Sequence, residues 1–308
     1  MPTYNRAATL PRTIESALGQ SHRTLEVVIS DNASEDGTEE VCRRWAERDS
    51  RVRYVRHPVN RGPTANFNFL FTACRGDFVL MLADDDWLDA RYVEACLAEL
   101  GRRPDHVLVA GLALYYRAGT RMAAGARVQV SEATGCARVR SYYRQVDDNG
   151  TFYGVVRREA LSGAGPMTHE LGNDWLQVAA IVFQGRALTL PEVHVHRDAG
   201  GTSRDVHTIR ATFGQSGRLE GRLPHLFMAA RAGRDIVWGR PVYRSLPLGR
   251  RLALAATVAG PVIDWRSLAW HLVAPTMAGL GRRPRGRPVW RAFERLTRAL
   301  GAGRTRLG

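Results

Sequence analysis

Short apolar segments alternate with longer amphipathic segments over roughly the first hundred residues. Apolar side chains dominate residues 25–31 and 78–83, and Val52–Arg56 alternates apolar with basic positions. Runs of this length and pattern are typical of β-strands. The segments 39–48 and 88–100 are longer and predict helices. The repeated order of strand and helix predicts an α/β protein with a mostly parallel, doubly wound sheet flanked by helices.

Carboxylates follow two of these predicted strands. Asp31 ends one strand, and Asp84, Asp85 and Asp86 follow another. Open α/β sheets bind ligands at the carboxyl ends of their strands, so we expect both groups at one rim. Three adjacent carboxylates repel one another, and their hard oxygens suit Mg²⁺ or Mn²⁺, which in turn suit a diphosphate. The pattern favours a metal–nucleotide site; the alternative is a solvated loop in which Asp86 caps the next helix.

The composition excludes several kinds of enzyme. The chain has no lysine, and all 44 of its basic residues other than histidine are arginine. P-loop proteins, enzymes with a pyridoxal phosphate Schiff base and protein kinases all need a lysine, so these classes are excluded. The four cysteines have no Cys-x-x-Cys spacing, which predicts free thiols in a reducing, cytoplasmic compartment.

Over roughly residues 1 to 204, the chain resembles the inverting family-2 glycosyltransferases with the GT-A fold. The matching motifs are residues 1–6, 29–38, 60–62, 76–78, 83–87 and 172–175. By this resemblance, the nucleotide-sugar-binding residues are Pro2, Thr3, Tyr4, Asn5, Arg6, Asp31, Asn60, Gly62 and Asp84. The resemblance also implies that the acidic triplet holds the metal and that Asp174 is the catalytic base.

The chain departs from the family pattern in two places. The family's Asp-x-Asp motif would fall on positions 83 and 85, but position 83 is Ala83. Asp85 is therefore the first choice for the metal ligand, and the predicted metal ligands are Asp85 and Asp86; spacing leaves the order within the triplet open. The second departure is the start at Met1, which leaves little of the usual first strand. We expect the natural chain to begin upstream; the alternative is a short start with the sheet edge covered.

Residues 106–204 are predicted to form the acceptor half of the glycosyltransferase domain, after a nucleotide-sugar half at 1–105. Residues 107–116 and 151–156 predict strands, and residues 117–140 predict a variable excursion. Asp174 precedes a predicted helix over 175–183, where it is either the base or the helix cap, with Asn173 competing for the cap.

Two features near the end of this predicted domain are less specific. His194 and His196 share one face of a predicted strand over 191–196 and could face a metal or diphosphate, although such histidines are more often ordinary. Arg197 and Arg204 flank a glycine-rich loop over 200–203 that could close over the diphosphate.

Residues 205–308 predict a separate basic, helical extension. From position 222 onward the chain has 17 arginines and three acids, which accounts for the whole net charge of +14. Uncharged runs at 252–263 and 267–281 are too short to span a bilayer, which takes ~20 residues. Arginine and tryptophan beside short apolar helices favour binding to an anionic membrane surface. The alternative is packing on the catalytic domain or on a second subunit, and no motif indicates nucleic-acid binding.

These features predict a metal-dependent inverting glycosyltransferase that uses Mg²⁺ or Mn²⁺. It would move a sugar from a nucleotide sugar, with a UDP-sugar favoured, to a glycan or lipid-linked acceptor. We expect it in surface-polysaccharide or cell-envelope synthesis, at the cytoplasmic face of the membrane. The alternative is a non-catalytic protein of the same fold that binds nucleotide sugars or polyanions.

Overall fold

A computed structural model describes residues 1–198 and 224–262. The N-terminal sheet consists of three parallel strands in the order β1 (Pro2–Thr3), β2 (Val27–Asp31) and β3 (Val52–Arg56). All five residues of β2 are buried. The Met1 amino nitrogen donates to the Val28 carbonyl oxygen at 2.7 Å and so extends the ladder beside β2. The predicted parallel arrangement is confirmed for this half of the molecule.

The second sheet is mixed. Its strands are β4 (Phe78–Leu80), β5 (Trp87–Leu88), β6 (His106–Arg117), β7 (Thr120–Ala124), β8 (Gln129–Val130), β9 (Val155–Arg157) and β10 (Arg186–Asp198). Their order is β4-β9-β6-β10-β5, with β7 beside β6 and β8 beside β10. The long strands β6 and β10 run parallel, while the short strands pair antiparallel to them.

Helices cover both sheets. They are α1 (Leu10–Leu18), α2 (Thr38–Arg48), α3 (Pro63–Ala73), α4 (Tyr92–Arg102), α5 (Gly135–Gln145), α6 (Arg158–Ala164), α7 (Asn173–Gln184), α8 (Pro224–Arg234) and α9 (Leu248–Val262). Helix α1 shows why they form, because Leu10, Ile14 and Leu18 recur on one face and are all buried. Pro11 falls in the first turn of α1, where its missing N–H costs nothing.

Several predicted boundaries were wrong. The helix expected over 88–100 begins at Tyr92, because Trp87 and Leu88 pair with His196 and Val195 of β10. Part of the strand expected over 151–156 is a 3₁₀ helix, Gly150–Tyr153, that precedes β9. The strand expected over 191–196 is the longer β10, whose register with β6 shifts between Leu190 and His194. Such an irregularity accommodates Pro191, which cannot donate to the ladder.

The excursion expected over 117–140 also has regular structure, since it contains β7, β8 and the start of α5. Its strands are short, and β7 is mostly exposed. Short segments of this kind lack the sustained alternation that predicts a strand.

Buried polar contacts attach residues 224–262 to the rest of the described chain. After α8, a π-helical turn (Asp235–Gly239) and a 3₁₀ helix (Pro241–Ser245) lead to α9. Arg240 is buried, pairs with Asp235 at 2.9 Å and donates to the Ala164 carbonyl at 2.9 Å and to Gln177 Oε1 at 2.6 Å. The first part of the predicted extension therefore packs on α6 and α7.

Other predictions for the extension fall outside the described residues. These are the glycine-rich loop over 200–203 with Arg204, and residues 263–308 with three of the four C-terminal tryptophans. The limits at 204 and 205 proposed for the two domains also fall there and remain a prediction. Within the described ranges, no helix has the length and apolar character needed to cross a membrane.

Candidate functional site

The acidic triplet forms a turn between β4 and β5. Buried Met81 and Leu82 hold the chain before the turn, and the backbone carbonyl of Asp86 accepts a hydrogen bond from the Thr13 hydroxyl at 2.8 Å. The Arg12 guanidinium donates to the Asp85 carbonyl at 2.9 Å and stacks 3.7 Å above the Trp87 ring. Helix α1 therefore fixes the backbone of the turn, and the three carboxylates point into different surroundings.

Asp84 faces the first strand. Its Oδ1 lies 3.4 Å from Arg6 Nε. The Tyr4 N–H and the buried Thr3 hydroxyl, which has no hydrogen-bond partner among the described residues, lie close to it. Burial raises the pKa of Asp84 above its usual value, although Arg6 and these donors oppose the effect. The predicted nucleotide residues Thr3, Tyr4, Arg6 and Asp84 are thus brought together.

Asp85 is the least neutralised of the three carboxylates. Its side-chain oxygens accept no hydrogen bond from the part of the chain that the structure describes. Burial, followed by the charges of Asp86 and Asp84, raises the pKa of Asp85 to about 7. A carboxylate in such surroundings binds either a proton or a cation, so Asp85 has the chemistry of a metal ligand.

Asp86 is almost completely buried and is already paired. Its Oδ2 accepts from Arg197 Nε at 2.8 Å, and its Oδ1 accepts from the Asp198 N–H at 3.3 Å. Arg197 is itself only 5% exposed. The predicted metal role of Asp86 stays a prediction, and the geometry favours Asp85.

Asp31 lies at the end of β2 and is also completely buried. Its Oδ1 accepts from the Ser34 N–H at 2.9 Å and from the Ser34 hydroxyl at 2.6 Å, and its Oδ2 accepts from the Tyr54 hydroxyl at 2.7 Å. Burial, reinforced by Asp31, raises the pKa of the Tyr54 hydroxyl. Asp31 therefore organises the turn after β2, and its predicted contact with the nucleotide stays a prediction.

Contacts with the turn after β2 hold the loop that follows β1. Asn5 has a left-handed backbone (φ 53°), its N–H donates to the Ser34 hydroxyl at 2.9 Å, and its Oδ1 accepts from the Glu35 N–H at 2.8 Å. Pro2 lies within β1, and Tyr4 is 42% exposed. An exposed aromatic ring on a rigid loop offers a stacking surface to a nucleotide base.

Asn60 and Gly62 form the opposite edge of the same rim. Asn60 Oδ1 accepts from Asn32 Nδ2 at 2.7 Å and from the Gly62 N–H at 2.8 Å. Gly62 adopts φ 81°, which favours glycine, and α3 begins at the next residue. Asn32 follows Asp31, so this contact ties the predicted binding residues Asn60 and Gly62 to the carboxyl end of β2.

Asp174 lies in the first turn of α7, and it is not the helix cap. The cap position falls on Gly172, which has a left-handed backbone (φ 80°), and the helix begins at Asn173. Asp174 Oδ1 accepts from the Trp175 N–H at 2.9 Å, and the Asn149 amide is a donor close by. Burial raises the pKa of Asp174 above its usual value, while these two donors oppose the increase. A base with a raised pKa accepts a proton more readily.

Tyr153 connects the two groups of carboxylates. It is buried, and it lies within electrostatic range of Arg197, Asp86, Asp174 and Asp85. The acidic turn and the start of α7 therefore face a common region of the molecule. Sequence reasoning did not place Tyr153 or Asn149 at the site. It placed Arg197 beside the glycine-rich loop over 200–203, and the structure shows that Arg197 belongs to β10.

His194 and His196 both contact the carboxylate of Asp89. His194 Nδ1 and His196 Nε2 each lie 2.7 Å from an oxygen of Asp89, and the His196 ring stacks on Trp87 at 5.1 Å. Among the described residues, no group of three or more His, Cys, Asp or Glu has an arrangement able to hold a metal ion. The predicted role of these histidines at a diphosphate stays untested, and the visible role is to fasten β5 to β10.

A family model described as glycosyl transferase family 2 matches residues 1–163. This match covers more than half of the chain, so the chain belongs to glycosyl transferase family 2 and is a glycosyltransferase. The resemblance inferred from the motifs is confirmed.

Curated relatives match over shorter segments. The chain is 35% identical over 89 residues to a GalNAc(5)-diNAcBac-PP-undecaprenol beta-1,3-glucosyltransferase of Campylobacter jejuni, which is 29% of each protein. It is 38% identical over 91 residues to an abequosyltransferase of Salmonella typhimurium, covering 29% of this chain and 27% of that enzyme. The matched segments thus span less than a third of either relative.

Solved structures establish the fold. Staphylococcus aureus TarS 1–349 in complex with UDP-GlcNAc aligns with a TM-score of 0.54 and 14% identity, over 89% of this chain and 86% of TarS. The mannosyltransferase PcManGT of Pyrobaculum calidifontis, in complex with GDP-Man and Mn²⁺, aligns with a TM-score of 0.52 and 20% identity, over 98% and 84% of the two chains. The predicted GT-A fold is confirmed.

Proposed function

We propose that this glycosyltransferase transfers a sugar from a nucleotide sugar with inversion of configuration, and that Asp174 is the base. The observation that carries the proposal is that two carboxylates near Tyr153 have different surroundings. Asp85 has no hydrogen-bond donor to neutralise it among the described residues, whereas Asp174 is buried. One environment suits a cation and a diphosphate, and the other suits proton transfer.

A divalent cation, Mg²⁺ or Mn²⁺, fits the acidic turn. Magnesium sites of nucleotide enzymes use one or two carboxylates and take their remaining ligands from substrate phosphates and water. Asp85 would hold the ion, since its oxygens accept no hydrogen bond within the described residues, with Asp84 beside it. When bound, the ion would neutralise charge on the departing nucleoside diphosphate.

The residues of the chain supply the other parts of the reaction. Tyr4 would offer an aromatic surface to the nucleotide base, and Arg6 would offer a guanidinium to the phosphates. Asp174 would take the proton from the acceptor hydroxyl as its oxygen attacks the anomeric carbon. A single displacement with one base requires no covalent glycosyl-enzyme, and its product has inverted configuration.

We also propose a UDP-sugar donor and a glycan or lipid-linked acceptor in surface-polysaccharide or cell-envelope synthesis. Support comes from a structural neighbour solved with UDP-GlcNAc and a relative named for a PP-undecaprenol-linked substrate. A second structural neighbour carries GDP-Man, so GDP-sugars belong in any donor screen.

We propose that the enzyme works at the cytoplasmic face of the membrane. Trp238 is 67% exposed and Leu248 and Leu252 are about half exposed. Arg251 donates to the Val237 carbonyl, which holds the start of α9 beside Trp238. Exposed tryptophan and leucine near arginine side chains suit the interface of an anionic bilayer.

Calorimetry of UDP binding tests the metal part of the proposal. UDP should bind the full chain much more tightly with Mn²⁺ than with EDTA, and Asp85→Asn should remove most of that difference. Glu94→Gln, in an exposed ion pair away from the triplet, is the matched control and should behave as the parent. Equal affinity with Mn²⁺ and with EDTA would reject metal dependence.

A further inference from the structure

A cleft lies between α5 and α9, at the end of α7 that is remote from Asp174. It encloses about 320 Å³, and the apolar part of its lining consists of Phe183, Leu246, Ala253 and Leu254. Asp174 lies in the first turn of α7 and Phe183 in the last turn, which puts ~13 Å of helix between the proposed base and the cleft. The cleft is therefore separate from the nucleotide-sugar site.

The walls of the cleft are fixed by specific contacts. Arg138 of α5 donates from Nε to the Val182 carbonyl and from Nη2 to the Phe183 carbonyl, both at 2.7 Å. These carbonyls belong to the last turn of α7, where a helix offers them no partner of its own. The start of α5 lies close against this turn, since a Cβ at Gly135 would come within 2.6 Å of the Phe183 carbonyl oxygen. On the opposite wall, buried Leu254 packs α9 into the core.

Two arginines line the same cleft, Arg140 from α5 and Arg250 from α9, and the lining contains no acidic side chain among the described residues. Neither guanidinium makes a hydrogen bond or an ion pair with the described part of the chain. Their neighbours Arg138 and Arg251, by contrast, donate to backbone carbonyls. Two guanidinium groups without a carboxylate attract an anion, and the planar guanidinium fits a phosphate closely.

We propose that this cleft binds a membrane lipid through its phosphate head and the adjoining part of one alkyl chain. Arg140 and Arg250 contact the phosphate, and the chain lies along Phe183, Leu246 and Leu254. The apolar lining is complementary to hydrocarbon and would gain nothing from inorganic phosphate, so the anion is the head of a lipid.

The surface next to the cleft agrees with a lipid as the occupant. Leu248 and Leu252 of the same helix α9 are about half exposed. A lipid held in the cleft would fix one orientation of the enzyme on the membrane, which attraction between charged surfaces alone does not do. The site is independent of the role proposed for Asp174.

The Cys136 thiol tests the site, because it is a free thiol that lines the cleft. The full chain is treated with N-ethylmaleimide, and peptide mass spectrometry follows the label on each cysteine. Decyl phosphate, kept below its micelle concentration, should slow the labelling of Cys136 severalfold and saturably. Cys74 is also partly buried but does not line the cleft, so its labelling rate should stay the same. A Cys136 that is unreactive without lipid, or that decyl phosphate leaves unprotected, would overturn the proposal.

The head and the chain of the probe are tested separately. Inorganic phosphate supplies the anion without the chain, and decyl maltoside supplies the chain with a neutral head. Each should protect Cys136 much less than decyl phosphate does. Equal protection by inorganic phosphate would reject a lipid as the occupant, and equal protection by decyl maltoside would reject recognition of the phosphate.

Two variants test the arginines. Arg140→Gln and Arg250→Gln should each raise the decyl phosphate concentration for half protection about tenfold, relative to the variant's own unprotected rate. Arg48→Gln, at an exposed position at the end of α2, removes the same charge elsewhere and should behave as the parent. Thermal unfolding establishes that each variant folds. Unchanged half-protection concentrations in both folded cleft variants would overturn the proposal.

Flotation with phosphatidylglycerol vesicles separates this site from the membrane location proposed above. Protection by monomeric decyl phosphate in a parent that does not bind vesicles would retain the lipid site and reject that location. Vesicle binding by a parent whose Cys136 is not protected would do the reverse.

Discussion

Burial raises the pKa of both Asp85 and Asp174, but the groups beside the two carboxyls are different. Both carboxyls have a raised pKa, but Asp85 has two like charges beside it, whereas Asp174 has hydrogen-bond donors. A cation is the natural way to neutralise the first, and a transferred proton suits the second. The two roles proposed here follow from that difference in surroundings.

The pKa of Asp85 also predicts how stability depends on pH without metal. A carboxyl whose pKa rises from 3.8 in the unfolded chain to about 7 when folded binds protons more tightly in the folded state. Stability should therefore fall as the pH rises between these values. At pH 8 without metal, Asp85→Asn should stabilise the protein by about 1–2 kcal/mol, since its partial exposure reduces the effect.

Urea unfolding at pH 5 and at pH 8, with EDTA present, measures this effect. The gain in the free energy of unfolding of Asp85→Asn over the parent should be smaller at pH 5 than at pH 8. At pH 8, Mn²⁺ with UDP should make the parent the more stable protein, because only the parent binds the ion tightly. An advantage of equal size at both pH values would contradict the assigned cause.

Sequence pattern located the strand-end carboxylates but not the side chains that contact them. Short motifs placed Asp31 and the triplet at the ends of predicted strands, and the family resemblance singled out Asp174, while the roles of these residues in binding and catalysis remain predictions. Arg197 and Asn149 are 48 positions apart and meet only through the fold. Local periodicity carries no information on such a contact.

At the scale of elements, β10 joins most parts of the site. It pairs with β6 along its length, receives β5 near its end, and carries His194, His196 and Arg197 on neighbouring positions. The sequence predicted a strand here but not its length, because Pro191 interrupts the pattern. It also predicted a helix directly after the acidic triplet, where Trp87 and Leu88 instead join the sheet through tertiary pairing.

The Asp235–Arg240 ion pair lies in the chain between α8 and α9 and contacts α6 and α7, so a substitution there tests how these elements are held together. Both side chains are 4% exposed or less, and Arg240 also reaches α6 and α7. Asp235→Ala leaves a buried arginine without its carboxylate, which typically costs about 3–5 kcal/mol. The control Asp77→Ala breaks an ion pair in which Asp77 is 90% exposed, and it should cost less than about 1 kcal/mol.

Chemical unfolding of the two variants beside the parent gives both free energies. Similar losses for Asp235→Ala and Asp77→Ala would mean that the buried pair does not hold the C-terminal helices against the domain.

At the scale of the whole molecule, charge is separated along the chain. The entire net charge of +14 arises after position 221, while the domain that carries the site is close to neutral. The described part of the extension adds an exposed Trp238 and two exposed leucines to this basic region. These features support attraction of the enzyme to an anionic surface without altering the nucleotide site.

The full chain should therefore bind anionic phosphatidylglycerol vesicles at low salt and leave them at high salt. The double substitution Trp238→Ser with Leu252→Ser should weaken binding severalfold, because it removes exposed apolar area without a change in charge. Val59→Ser, an exposed apolar position on the nucleotide side, is the control and should bind as the parent. Vesicle flotation measures all three. A parent that stays unbound at low salt would exclude the membrane role and favour packing or oligomerisation.

The central claim is that Asp174 is the base of a nucleotide-sugar-dependent transfer. Its most direct test is the rate of UDP or GDP release from a panel of nucleotide sugars with Mn²⁺, compared between the parent and Asp174→Asn. The account predicts turnover by the parent and a loss of about 10²–10⁴-fold in Asp174→Asn, with nucleotide affinity unchanged. A variant within a few fold of an active parent would contradict the assignment of the base. A parent that binds nucleotide sugars but releases no nucleotide from any of them would favour the non-catalytic alternative.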